Sequence, residues 1–358
     1  MLPNRPDLGN VAPEVRAYIE ALETEIESLQ SIQDTATVHA QKPDDDLQVE
    51  PETTLEPEEP ASTINVITAT TAGTAKRTYR HHYIRQRRGG MGVFDLETSN
   101  DDPPGLLALA DENRHILLIT NQARAFRLPV HQILEAPVRA RGASITGKLG
   151  LQNGEHLAVI LPDKAEGYLA LAGQNGMVRI LRHHVFGEYM KPGTSLFDFK
   201  LFGELTAASW TPGNNDLFLA TRQGRAIRFP QQLVPPQGVQ AIRLADGDST
   251  VGIAAVGADS NVFLLGADGK GTIRLMSGFA PNKAPGAGGK IAMTTERLIC
   301  ALNVDDQDDI FILTKLSKII RFRVAEVPAK EGVVQGVVCI TLRGDEPSAV
   351  ATNPNPIF

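Results

Sequence analysis

Two sets of residues in this 358-residue sequence have the type and spacing to grip an anion. The first is a short cluster, Gln86-Arg87-Arg88-Gly89-Gly90-Met91-Gly92, preceded by Lys76, Arg77 and Arg80. A Gly–Gly pair flanked by cations lets backbone amides and guanidinium groups approach a phosphate closely. The second is a periodic arginine at positions 77, 127, 179, 228, 274 and 321, with spacings of 50, 52, 49, 46 and 47. Arg124, Arg182, Arg225 and Lys318 stand beside the later copies. Cations repeated at fixed steps can follow a curved phosphate backbone. The competing expectation is that a repeated arginine serves the repeat itself, pairing neighbouring units or shielding a strand edge.

Other chemistries are poorly supplied. His81-His82 and His183-His184 fall at equivalent places in two repeats, but no Cys or carboxylate follows at metal-ligand spacing. Gly286-Ala287-Gly288-Gly289-Lys290 lacks the spacing of a nucleotide-binding loop and lies in a strand context. Cys300 and Cys339 sit in apolar runs and read as buried thiols of a reducing compartment. No cofactor and no metal are expected, and no apolar run is long enough to span a membrane. The expected location is the cytoplasm, in association with the nucleoid.

The elements that must position these residues are short. From about Ser62, β-branched and leucine-rich runs alternate with Gly, Asn, Asp and Pro turns. Each arginine lies seven residues after a Thr or Ala that ends an apolar strand, as in Thr70 to Arg77 and Thr314 to Arg321. A small or turn-tolerant residue generally stands four before the arginine, as a tight hairpin needs. A Gly follows each arginine by roughly 10–15 residues, at Gly89 and Gly90, Gly142, Gly193, Gly238, Gly286 and Gly336. Six copies of this unit predict an all-β, six-bladed, propeller-like ring, since one copy cannot bury both of its faces.

The N-terminal region differs. Val15, Ile19, Leu22, Ile26 and Leu29 form a heptad stripe, so residues 13–32 read as a helix. It would either dimerise as a short coiled coil, giving a homodimer, or pack on its own domain. Residues 34–61 read as a disordered acidic linker. Residues 1–60 hold 15 Asp or Glu and three cations, whereas residues 61–358 hold 32 cations and 27 acids. A basic body thus follows an acidic arm. The expected organisation is helix 1–33, linker 34–61, six repeats over 62–352 and a tail 353–358.

The cluster at 86–92 resembles a box of the form Gln-Arg-Arg-Gly-Gly-(Lys/Arg)-Gly found in the first repeat of the C-terminal domain of the bacterial DNA gyrase A subunit, and the repeats resemble the C-terminal domain of DNA gyrase and topoisomerase IV A subunits. Six of the seven positions of the box match, and the similarity extends over all six repeats. The resemblance implies a β-pinwheel whose basic rim binds, bends or wraps double-stranded DNA through its phosphates, with gyrase subunits as further partners. Carried over to this chain, the implied contacts are Lys76, Arg77, Arg80, Gln86, Arg87, Arg88, Gly89, Gly90, Gly92, Arg124, Arg127, Arg179, Arg225, Arg228, Arg274, Lys318 and Arg321. Met91 stands where the family has a cation, which removes one implied phosphate contact. None of Tyr18, Tyr79, Tyr83, Tyr168 and Tyr189 has the context of a strand-cleaving nucleophile, so the expected role is non-catalytic. The alternative is a protein-interaction scaffold that has lost DNA binding. An acidic arm competing for the rim, or acting as a plain spacer, is compatible with either.

Overall fold

The structure is a computed structural model and describes residues 59–352. The expected N-terminal helix, nearly all of the expected linker and the tail lie outside the described residues. The chain divides into two units, Met1–Glu56 and Pro57–Phe358, and the described residues all belong to the second.

Six antiparallel hairpins form the frame. The first pairs Ile64–Thr70 with Thr74–Tyr79, and the last pairs Asp309–Thr314 with Lys318–Arg323. The recurrent Thr has a local job. Thr70 Oγ1 accepts from the backbone N–H groups of Gly73 and Thr74 at 3.2 and 3.0 Å, and Thr314 Oγ1 accepts from Lys318 N–H at 3.0 Å. These bonds close the hairpin turn. The residue four before the arginine is left-handed in four repeats, including the non-glycines Ala123 (φ 57°) and Ser317 (φ 59°). In the third and fifth repeats that role moves to Gly176 and Gly269, one residue later or earlier.

Each hairpin gains an inner and an outer strand from the repeat that follows it. Pro104–Asp111 and Ala143–Ser144, both of the second repeat, complete the sheet of the first hairpin. The same exchange runs round the ring. The inner strands Pro104–Asp111, Leu157–Pro162, Leu205–Thr211, Thr250–Val256, Leu298–Val304 and Pro347–Thr352 touch one another in cyclic order, so they surround the axis. The outer strands are only two residues long and lie farthest from it. The last hairpin closes the circle with material from both ends of the disc, Pro347–Thr352 inside and Val93–Phe94 outside. The fifth sheet alone has a fifth strand, since Ala329–Lys330 joins it in parallel and Val337–Val338 antiparallel. The core fills the spaces between blades; Ile67 and Ala69 of the first repeat pack with Ile116, Leu118 and Phe126 of the second.

A glycine immediately precedes every antiparallel outer strand: Gly92, Gly142, Gly193, Gly238, Gly289 and Gly336. A Cβ on Gly92 would stand 2.7 Å from the carbonyl oxygen of Ile319, and one on Gly289 would stand 2.8 Å from that of Ala226. The outer strand can reach its partner only because no side chain intervenes. The repeating glycine is therefore Gly92 in the first copy and Gly289 in the fifth, not Gly89, Gly90 or Gly286.

Candidate functional site

The periodic arginine is mostly architectural. Arg321 is 3% exposed, and Arg77, Arg228 and Arg274 are also buried. Arg228 Nη1 donates to the carbonyl oxygens of Met276 and Phe279 at 2.8 and 3.2 Å, in the turn that ends the next repeat's hairpin. Its Nε donates to Asp216 at 2.8 Å. Arg77 reaches Ile133 O at 3.1 Å and pairs with Glu135 at 2.8 Å. Arg321 closes the ring, donating to Arg80 O and Tyr83 O of the first repeat while pairing with Asp309. A guanidinium suits this task because its planar fork serves several acceptors at once. Arg179 donates to Pro236 O and Leu196 O, and Arg127 pairs with Asp163 at 2.7 Å. Arg274 has weaker partners: it lies over the Phe279 ring, and burial lowers its pKa.

For Lys76, Arg77, Arg228, Arg274 and Arg321 the expected phosphate contact is therefore corrected. All five are buried; Lys76, Arg77, Arg228 and Arg321 use their charge on partners inside the disc, and Arg274 is left with two unpartnered guanidinium nitrogens among the described residues. Lys76 is completely buried; its Nζ pairs with Asp95 at 2.6 Å and donates to Pro137 O at 2.9 Å. Burial lowers its pKa, and Asp95 opposes that shift. Tyr83 donates to the same Asp95 oxygen at 2.7 Å, and burial raises the phenol well above its usual range.

The neighbouring cations are partly committed. Arg124 pairs with Glu155 at 2.6 Å. Arg225 donates to Gly288 O and Gly289 O, both at 3.0 Å, steadying the glycine-rich segment that becomes an outer strand. Arg80 pairs with Glu59, the first described residue, which also pairs with Arg321. Lys318 is half-buried and bonds through its backbone to the strand at Phe94. Arg182 is exposed.

The cluster at 86–92 crosses the closing seam. Gln86 N–H donates to Arg321 O at 2.8 Å, and Gly89 N–H to Cys339 O at 2.9 Å. Thr341 N–H donates to Gly90 O at 3.0 Å. Arg88 is drawn into the seam, its Nε and Nη1 donating to Glu326 O and Val338 O at 3.0 and 2.7 Å. Arg87 instead faces solvent, and its guanidinium has no hydrogen-bond or ion-pair partner among the described residues. Met91, four residues after Arg87, is 44% exposed. The box is thus both a clasp and, at Arg87, an outward cation.

The exposed cations of the perimeter lie on the outer-strand segments. Besides Arg87 they are Arg139 and Arg141, Lys191, Arg243, Lys283 and Lys290, and Lys330, so every blade carries at least one. Segments 84–94, 139–148, 231–243 and 280–291 contain cations and no Asp or Glu. Arg141 is 87% exposed in its side chain and pairs with Glu97 at 3.1 Å. Apart from Arg87, and from Lys290 in its glycine-rich segment, these residues stand in no motif of the sequence. The usable signal was the glycine of each outer strand, which most of them closely flank.

Comparison with known proteins agrees with this geometry. The model of the DNA gyrase C-terminal domain, β-propeller, matches residues 65–102, 114–157, 215–256 and 308–346. Four of the six repeats thus resemble that domain in sequence. The third and fifth repeats, whose hairpin turns are shifted by one residue, fall outside the matched segments. The A subunit of DNA gyrase from Staphylococcus aureus strain MRSA252 is 28% identical over 295 residues, covering 78% of this chain and 33% of that protein. The same protein of strain NCTC 8325 matches over the same extent. The chain thus spans about a third of the length of these curated relatives. A solved DNA gyrase A C-terminal domain superposes with a TM-score of 0.71 at 20% identity, covering 81% of this chain and 99% of that one. The C-terminal domain of DNA topoisomerase IV gives 0.57 at 20% identity, covering 82% and 94%.

The disc holds no group of three or more potential metal ligands among its described residues. His81 stacks on Tyr79, and the His82 ring is tilted against both. Among the described residues no helix is long and apolar enough to cross a membrane.

Proposed function

We infer that this chain binds duplex DNA along the outer strands of its gyrase-type disc and bends or wraps it there, without cleaving it. The observation that supports this most is the placement of exposed cations on the outer segment of every blade, four of those segments being free of acids. Cations set round a ring contact phosphates at successive turns of a bent duplex and carry no base readout. Bending costs about 1–6 kcal/mol for 40–90° over 20–30 base pairs, so several phosphate contacts are needed to sustain it. Arg87 is the box's contribution to that path, and the remaining box residues hold the path closed. The DNA so bound is handed to, or shaped for, a topoisomerase partner of the gyrase type.

Gel-shift and topological footprinting with the full chain test the reading. Salt-sensitive duplex binding that protects a length greater than one straight contact is expected. Absence of any duplex binding at low ionic strength would exclude it.

A second reading, a surface for another protein, is favoured by one asymmetry. The second residue of the outer strand is Ile291, Val338 and Phe94 on three consecutive blades, 49%, 43% and 38% exposed. On the other three it is Ser144, Ser195 and Gln240. Loss of a stable protein complex in Ile291→Ser with Phe94→Ser, with duplex binding intact, would establish that second surface.

A further inference from the structure

All six blades slip register at the same place. The slips fall between Ala69 and Thr70, Leu157 and Val159, Ala172 and Gly173, Ala220 and Thr221, Leu265 and Gly266, and Leu313 and Thr314. A bulge bends its strand and ends close pairing. Here the bulges lie where the inner strands begin, and a cavity of about 510 Å³ opens there. It is lined by the first residues of the inner strands of five blades.

Its lining mixes apolar residues, among them Pro104, Val251, Leu298 and Pro347, with cations. Arg222, Arg297 and Lys315 all face it, with the hydroxyls of Thr206, Ser249 and Ser348. Arg297 and Lys315 share one carboxylate, Glu346, the latter at 2.6 Å. Arg222 is exposed, and its guanidinium has no hydrogen-bond or ion-pair partner among the described residues. Three cations and one carboxylate leave an excess of positive charge around a concave, hydroxyl-lined space. The perimeter path does not use these residues, since they lie on the axis and the outer strands lie farthest from it.

We propose that this axial cavity binds a small multivalent oxyanion of the diphosphate type. Its volume lies in the range of small-molecule sites, roughly 300–1,000 Å³. It is too small to admit a duplex, whose major groove alone is about 12 Å wide. Arg222 supplies the unpaired fork, which suits two oxygens of one phosphoryl group. Arg297 and Lys315, already held by Glu346, bind the second phosphoryl group, and the Ser249 hydroxyl donates to a remaining oxygen, whereas Thr206 and Ser348 already donate to Ala172 O and Leu313 O.

Calorimetric titration of the full chain with inorganic pyrophosphate, at constant ionic strength, tests this. Saturable binding at one site is expected, weakened at least tenfold by Arg222→Ala and also by Lys315→Gln. Arg139→Ala with Arg141→Ala, on the perimeter, leaves it unchanged. Two results would overturn the proposal: no saturable binding, or binding lost with the perimeter pair and retained in Arg222→Ala. Neither depends on whether the disc binds DNA.

Discussion

Arg321 Nη1 donates to the carbonyl oxygen of Tyr83 at 3.0 Å, joining the last repeat to the first. The same contact type joins the fourth blade to the fifth repeat through Arg228 and Phe279. The periodic arginine is thus what one blade uses to hold the next, and at 321 it holds the ring closed.

Arg321→Ala leaves the buried Asp309 with Arg85 as its remaining partner and removes the bonds to Arg80 O and Tyr83 O, so its cost stays at or below the about 3–5 kcal/mol of a broken buried pair. Urea denaturation should show a lower midpoint of that order. Arg321→Lys should recover little, because an ammonium cannot span Asp309 and the two carbonyl oxygens together. A midpoint equal to that of the parent protein in Arg321→Ala would refute the architectural role.

Gly92→Ala and Arg87→Ala separate the two jobs of the box. Gly92 has φ 70° and no room for a Cβ beside Ile319. Its substitution should cost about 1–3 kcal/mol of stability, read from thermal unfolding. Arg87→Ala, at the surface, should change stability by no more than about 0.5 kcal/mol and should weaken duplex binding.

Met91, four residues after Arg87, is exposed. Met91→Lys should add one phosphate contact, raising the slope of log affinity against log salt by about 0.9. An unchanged slope would place the duplex away from this side of the seam.

Acid should loosen the second blade through Glu155. Burial alone raises its pKa, but donation from Gln152 N–H, the Thr120 hydroxyl and Arg124 outweighs burial and holds the carboxyl below its usual range. The unfolded chain then takes up the proton first. The stabilisation is complete above the unfolded value of about 4.3 and is lost as pH falls through the lower folded value. Glu155→Gln should be less stable at neutral pH and show a shallower decline between pH 5 and 3; identical slopes would count against this assignment.

Burial pushes the Cys339 thiol up to about 12 and raises Cys300 as well. Neither should react with a thiol reagent at pH 8 until the protein is unfolded. Rapid labelling of the folded disc would contradict their placement.

The blades were legible because Thr, turn residue and arginine recur in register, each set by the geometry of a single hairpin. The placement of charge was not. In a strand the next residue faces the other way, so Arg225 and Arg228 differ in burial although both lie on Arg225–Pro230. Periodicity marked Arg321 and Arg228 as important without saying that they point inward. The outer strands, only two residues long, are too short to show alternation, so Arg141 and Lys290 carried no pattern of their own. The box similarity, drawn as a phosphate site, did not reveal that Gly89, Gly90 and Arg88 bond across the chain to Cys339, Thr341 and Glu326.

The most direct test compares the salt dependence of duplex affinity in the parent chain and in a variant with Arg87, Arg139, Arg141 and Lys290 all changed to Gln. The outer-strand account expects an unchanged unfolding midpoint, weaker binding, and a salt slope reduced by about 0.9 for each contact removed. Parent-like affinity and slope in that variant would contradict it.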